Sequence, residues 1–344
     1  MMVGNTGRLL LSGSLGLVLL LGMAANHVVA QTKQTGASAT DRISRVTNKM
    51  QRKQLYKLEY KLKEGDELKF TTEQSVATKF SMAGNKEESS SRSLSAKTWK
   101  VVNVDRLGQI TFSLTLDSIN MWQKTGEGSP IAYNSATDKK IPDEYATVAD
   151  SVGKTLAIFT ISPNGKVLNR KSSLRENNFG VGKVTTPLPE QAVPVGYVWN
   201  VPTLIRATDD HDKNIQLKAR VRYELAKVTG HTAYIRFKTE VLTPVTSEKV
   251  KSTIMQKMTK GEIAFDLEKG IPSVKVVRWN EKAQGFEGPD SFLEYVGKMS
   301  ERLVTKSAQG SDSSSIAGLA PIKETVAKKP VEIKTRDGKP VLRK

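Results

Sequence analysis

The chain has 344 residues, no cysteine and a formal net charge of +18. Without cysteine it has no disulfide framework, no thiol chemistry and no acylated-cysteine lipid anchor. The length allows one large or two ordinary domains. The excess of basic residues favours anionic partners, although lysines on the solvated faces of strands explain the same composition.

Residues 1–30 are typical of a secretory signal peptide. Arg8 precedes the apolar run Leu9–Ala25, and Val28-Val29-Ala30 then supplies small residues where a signal peptidase cuts. The run is shorter than the roughly 20 apolar residues that span a bilayer, so a retained membrane anchor is the weaker interpretation. We therefore expect a protein that is exported to the periplasm or secreted, with no transmembrane span after signal cleavage.

A polar leader (31–54) precedes a first predicted β lobe (55–170). Apolar and charged residues alternate over Tyr56–Lys63, the period of a half-buried strand. The serine-rich stretch Gly84–Arg92 is predicted to be a loop, and Ile110–Asp117 alternates cleanly as a return strand. One short helix is expected from Pro142 to the helix-ending Gly153.

A proline-containing linker (171–194) leads to a second predicted β lobe (195–304). Alternation extends over eleven residues from Ile215 to Leu225. Glycine-turned hairpins recur in similar order in both lobes, which predicts an internal duplication. The expected fold is mainly β, with two antiparallel lobes of the curved-sheet or half-barrel type. Ser291–Val304 fits both a helix and a strand, and a strand that closes an open edge is favoured.

Residues 305–344 form the last predicted segment. They contain no aromatic residue, and basic residues outnumber acidic ones. Such a composition cannot bury enough apolar surface to offset the entropy of ordering, so a disordered basic tail is predicted.

No candidate catalytic, cofactor-binding or metal-binding residue emerges. Asp209–Asp212, with His211, is the densest group of potential metal ligands, but adjacent loop residues point apart and a solvated turn is favoured. Ser151 and Lys154 match the spacing of an acyl-transfer motif at the wrong end of a helix. The four tryptophans (Trp99, Trp122, Trp199 and Trp279) are better explained by core packing than by stacking on sugars or bases.

Three turn-and-strand segments resemble an uncharacterised family of exported bacterial β-repeat proteins. They are Lys61–Asp66, Phe159–Val167 and Ala264–Gly270, and the resemblance covers about Tyr56–Val304. It implies export and a two-part β fold, and it carries over no catalytic residue. By analogy of fold alone, such strands are similar to the half-barrels that shield acyl chains during envelope transport.

The function expected from these features is that of a non-enzymatic binding or scaffold protein of the bacterial envelope. Its partner would be an anionic lipid, a polysaccharide or another envelope protein. The alternative is a hydrolase of wall or extracellular polymer that uses two carboxylates distant in sequence. Nucleic-acid binding through the net charge is a weaker hypothesis.

Overall fold

A computed structural model describes residues 54–172 and 184–304 of the chain. The first half contributes seven strands: β1 (Leu55–Tyr56), β2 (Glu67–Met82), β3 (Asn85–Val104), β4 (Ile110–Thr125), β5 (Ile131–Asn134), β6 (Thr155–Ile161) and β7 (Val167–Ser172). The second half contributes another seven: β8 (Val193–Pro194), β9 (Val198–Thr208), β10 (Asn214–Thr229), β11 (Thr232–Val241), β12 (Lys260–Asp266), β13 (Ile271–Gln284) and β14 (Phe292–Leu303). The prediction of a mainly β, antiparallel fold is confirmed.

Twelve of these strands form one antiparallel sheet in the order β7-β6-β4-β3-β2-β14-β13-β12-β11-β10-β9, with β5 added beside β4. The two halves are therefore sequential meanders that meet where β14 pairs with β2. The two ends of the path, β7 and β9, are not paired with each other, so the sheet is open. Ser291–Val304 contains a strand, as favoured, but β14 lies at the centre of the sheet and not at an edge.

The hairpin between β2 and β3 differs from the prediction. The loop expected over Gly84–Arg92 is wrong, because only Ala83 and Gly84, with φ of 51° and 81°, turn the chain. Two successive residues with positive φ are the turn that suits a tight hairpin. Polar residues over Asn85–Arg92 concealed this strand, because they pair with β2, and from Ser89 onward also with β4, without contributing an apolar face.

The predicted strand Tyr56–Lys63 is a strand only over Leu55–Tyr56, which pairs with β8. Residues 57–63, called the strap here, bury Leu58, Tyr60 and Leu62 while their lysine neighbours stay exposed. The alternation therefore predicts the burial correctly, but the backbone partners are turns. Tyr60 N donates to Pro163 O at 2.7 Å, and Lys61 N donates to Gly270 O at 3.3 Å.

One main core joins the two halves of the chain. Trp99 stacks on Phe112 and Phe112 on Phe159 in the first half, while Trp199 stacks on Tyr223 in the second. These residues and the strap belong to the same apolar cluster. The sheet must curve for strands so far apart in its order to share one core, and its buried side is called the inner face here.

Two short helices lie against this sheet. The predicted one is α1 (Ala146–Ala149), preceded by a 3₁₀ turn at Asp143–Tyr145. The other, α2 (Glu248–Ile254), was not predicted; the Ser247 side chain accepts from Val250 N at 3.2 Å and caps it. It continues into a 3₁₀ turn at Met255–Lys257.

Several predicted segments lie outside the described residues: the signal peptide (1–30), nearly all of the leader (31–54), residues 173–183 of the linker and the tail (305–344). Within the linker, residues 184–194 contribute Leu188 and Val193 to the main core. The lobe boundaries and the duplication remain predictions. Among the described helices, none is long and apolar enough to cross a membrane.

Candidate binding surface on the inner face of the sheet

The side chains of β3 alternate between the two faces of the sheet, and this places a row of hydroxyls on the inner face. Trp99 and Val101 are buried in the main core. Counting back by two residues reaches Lys97 and then four serines, because side chains two apart in a strand share a face. These serines are called the serine strip here: Ser89, Ser91, Ser93 and Ser95.

Solvent exposure is lowest at one end of this row. Trp99 is 3% exposed and Lys97 6% exposed. Ser95, Ser93 and Ser89 are half-buried, and Ser91 is exposed. The inner face is thus filled by the main core at one end of β3 and more open over the serine strip. A molecule that lies along the serine strip would meet Lys97 at the closed end.

Apolar side chains flank the serine strip. On the β4 side, Ile119 and Met121 are paired with Ser95 and Ser93. They belong to a cluster that includes Tyr145 of the turn before α1. On the other side, β2 places Thr72, Gln74, Val76 and Thr78 beside the strip. Beyond β2, Tyr295 of β14 meets Trp279 of β13 edge to face at 6.5 Å, and Met255 after α2 packs in the same cluster. The surface is therefore amphipathic, with a mostly polar band on β2 and β3 between two apolar groups.

At the closed end lies a group of polar residues called the ion cluster here: Thr72, Lys97, Lys275 and Glu301. Glu301 pairs with Thr72 of β2 and with Lys275 of β13, so all three side chains point to the inner face. Glu301 Oε2 accepts from Lys97 Nζ at 2.7 Å and from Thr72 Oγ1 at 3.2 Å.

The electrostatics of the ion cluster follow from its burial and its charges. Lys97 and Glu301 keep only 7% and 16% of their side-chain exposure. Burial raises the pKa of Glu301, but the ammonium groups of Lys97 and Lys275 and the two hydrogen bonds outweigh it and hold that pKa below its ordinary value. Burial lowers the pKa of Lys275, an effect that Lys97 reinforces and Glu301 opposes. Glu301 is therefore held as a carboxylate.

The sequence analysis missed the ion cluster, although its signal was present. Lys97, Lys275 and Glu301 each occupy the apolar phase of an alternating strand: Lys97 shares it with Trp99, Lys275 with Val277, and Glu301 with Met299. A charge in that phase is a buried charge, and a buried charge needs a partner. Which strands supply the partners could not be predicted, because β2 and β14 are far apart in sequence.

The residue groups weighed from the sequence are not brought together as sites. Asp210 accepts from Ser247 and Asp212 pairs with Lys249, so this loop holds the start of α2. Ser151 is buried and donates to Thr147 O at 2.8 Å, while the exposed Lys154 pairs with Asp150. Among the residues described, no three His, Cys, Asp or Glu side chains are grouped to hold a metal.

The tryptophans divide between the two faces of the sheet. Trp99 is buried and Trp199 half-buried, and each stacks on an aromatic ring of the neighbouring strand, which fits the expected packing role. Trp279 lies on the inner face, and its Nε1 donates to Gln256 O at 3.0 Å. Trp122 pairs with the outward-facing Arg92 and lies on the opposite face.

Comparison with known proteins gives one distant structural likeness to report. No family model and no curated protein matches the chain. Among solved structures, it is similar to one titled "Lipid-protein interactions in lipovitellin", with a TM-score of 0.45 and 9% sequence identity. The match covers 71% of this chain and 26% of that one, so the chain spans about a quarter of the length of that relative.

Proposed function

We propose that this chain is a non-enzymatic binding protein of the bacterial envelope, exported to the periplasm or secreted, that holds a lipid on the inner face of its curved sheet. The observation that carries the proposal is the serine strip on that face, with Ile119 and Met121 on one side and, across β2, Tyr295 and Trp279 on the other. Ligand sites of this kind combine mostly apolar lining with a few placed polar groups. A lipid matches both parts of the surface.

The inner face supports a lipid better than the other ligand classes. Met121 and Val76 supply apolar area beside the strip, which a chain of methylene groups would cover at about 25 cal/mol per Å². A polysaccharide would instead need exposed rings on which to stack and a dense set of hydrogen-bonding groups. The rings of Trp99 and Phe112 are covered by the core, and the half-buried Trp279 packs edge to face on Tyr295.

A hydrolase that acts through two carboxylates is the second candidate, and the register disfavours it. By strand parity, Glu281 and Glu301 face inward from β13 and β14. Glu281 pairs with Tyr295, six residues from Glu301 along β14, which separates the two backbone positions by about 20 Å at 3.3 Å per residue. Glycosidic cleavage needs about 5–10 Å.

The experiment is recovery of the exported full-length chain from the envelope or the medium, followed by mass spectrometry of co-purifying lipid, glycan and protein. We expect lipid to co-purify in a stoichiometric amount. Ser93→Phe fills the inner surface and should lose the lipid. Ser90→Phe places the same ring on the opposite face of β3 and should retain it. Recovery of only glycan or protein, or equal lipid in the two variants, would show that the proposal is wrong.

A further inference from the structure

We infer that the ion cluster is a recognition site for the anionic headgroup, a carboxylate or a phosphate, of the lipid that lies along the serine strip. This inference rests on the proposed function and extends it to the chemical class of the ligand. It assigns Lys97 and Lys275 as the groups that receive the headgroup and Glu301 as the carboxylate that occupies Lys97 in the absence of ligand.

The position of the cluster supports this assignment. Lys97 stands next after Ser95 in the inward row of β3, at the point where the open surface ends against Trp99. Thr72 and Glu301 continue the polar line across β2 and β14 to Lys275 on β13. An extended ligand with its tail on the apolar groups would therefore bring its head to this line.

The charges of the cluster support an anion and not a cation. The formal charges of the two lysines and Glu301 sum to +1, and Lys97 and Glu301 are largely buried. Removing charges from water is costly unless they are balanced at close range. An added carboxylate would accept a hydrogen bond from the Lys97 ammonium group in place of Glu301. A charge-assisted contact of this kind is stronger than one between neutral groups.

The fold gives a second reason to expect a role for these residues. Replacing a buried ion pair with apolar residues of similar volume often leaves stability unchanged or improves it. Their immediate neighbours on the inner face are apolar: Phe70 is paired with Lys97, and Ile263 with Lys275. Packing alone would thus be served by aliphatic residues. The pairing of β3 with β4 also shifts register beside Lys97, where β4 carries Asp117 as an extra residue.

The pairing geometry predicts a competition between Glu301 and the ligand. Glu301 Oε2 already accepts from Lys97 Nζ at 2.7 Å, the contact that an incoming anion would need. Neutralising that carboxylate releases Lys97 and raises the positive charge of the cluster. Glu301→Gln should therefore bind an anionic ligand more tightly than the native chain, which a purely structural role for the pair does not predict.

The test uses the full-length protein and two fluorescent probes of equal chain length, dansyl-undecanoic acid and its methyl ester. The native protein is expected to bind the acid at least about tenfold more tightly than the ester, a difference of about 1.4 kcal/mol. Lys97→Met and Lys275→Met should reduce that preference to near unity. Lys100→Met, on the outward face of the same strand, should leave it unchanged. Glu301→Gln should strengthen binding of the acid several-fold and leave the ester unaffected.

Competition with unlabelled ligands separates the sources of the headgroup: displacement by palmitate indicates a carboxylate lipid, and displacement by lysophosphatidate indicates a phospholipid. Equal binding of acid and ester by the native protein, or weaker acid binding by folded Glu301→Gln, overturns the headgroup inference and leaves the lipid proposal standing. Failure of both probes to bind the native protein contradicts the proposed function itself. Circular dichroism checks that each variant is folded, and the isosteric Glu301→Gln keeps the test decisive if Lys97→Met does not fold.

Discussion

At the scale of the residue, the late hairpin of the first half depends on a glycine that touches the strap. Gly165 has φ of +76°, and a Cβ there would lie 2.5 Å from both Thr186 O and Tyr60 Cε2. Gly65 has a similar φ of +86°, but a Cβ added there would have no other atom within 4 Å. A side chain at Gly65 would therefore meet backbone strain alone, whereas a side chain at Gly165 would meet both backbone strain and steric contact.

We expect Gly65→Ala to cost about 1–2 kcal/mol of unfolding free energy, the strain of a side chain in left-handed backbone. Gly165→Ala should cost a further 1–3 kcal/mol or so because the strap must move away. Urea unfolding of both variants measures the difference. Equal losses of unfolding free energy in the two variants would mean that the strap makes no steric contact with this turn.

Glu301 predicts a specific dependence of stability on pH. Its pKa is lowered in the folded protein, so its contribution is fully present above the ordinary glutamate pKa of about 4.3 and is lost as the pH falls through the folded value. The melting temperature of the native chain should therefore fall more steeply below about pH 4.3 than that of Glu301→Gln. Parallel pH profiles for the two proteins would show that the carboxylate is not held by Lys97 and Lys275.

Residue alternation was the most dependable guide in the sequence. It placed Leu58, Phe112 and Tyr223 in the core, and each is less than 5% exposed. The same alternation places Lys97 in the buried phase with Trp99. It does not show which residues pair with this buried charge, because they lie on strands that are remote in sequence. Burial could be predicted from local pattern, whereas pairing could not.

At the scale of the element, the strap connects turns from the two halves of the chain. Tyr60 packs edge to face on Phe265 at 5.6 Å, and its hydroxyl accepts from Thr186 N at 2.9 Å. Burial raises the pKa of this phenol well above its ordinary value, against the smaller opposing effect of the Thr186 hydrogen bonds. The phenol therefore stays protonated and hydrogen-bonded within the core.

Tyr60→Phe should cost about 1–3 kcal/mol, because it leaves the buried amide of Thr186 without its acceptor. Tyr56→Phe, at a half-buried ring just before the strap, serves as the control and should cost less than about 0.5 kcal/mol. Chemical denaturation compares the two. A similar small loss in both would indicate that the Tyr60 hydroxyl makes no net contribution.

Elements with an apolar face were predicted well, and those without one were not. Ile215–Leu225 is predicted to be a strand and is part of β10. Ser89–Ser95 lacks an apolar phase, so its strand could not be predicted from composition, yet this is where the candidate surface lies. For the strap the prediction was wrong in the opposite way. Its alternation is typical of a strand, but its backbone hydrogen bonds are made to turns.

At the scale of the whole molecule, the pairing of β2 with β14 makes one sheet of two meanders. No local pattern indicates this pairing, because the strands are separated by nearly the whole fold. The compact unit ends at Val304, after the last strand. The shared core and the central pairing together predict that the described residues unfold as one cooperative body.

Calorimetry of the full-length chain should therefore show a single transition, and a chain that ends at Val304 should melt at the same temperature within about 2 °C. Two resolved transitions would instead support lobes that fold independently. A large drop on truncation would show that residues 305–344 stabilise the fold.

The location of the ligand is tested most directly by photo-crosslinking with a fatty acid that carries a diazirine at the end of its chain. After irradiation of the full-length protein, peptide mass spectrometry should find adducts on inner-face residues near the serine strip, such as Gln74, Met121 and Met299. An excess of unlabelled palmitate should suppress them. Adducts confined to outward-facing residues such as Thr98 and Lys100, or adducts that palmitate does not suppress, would contradict lipid binding on the inner face.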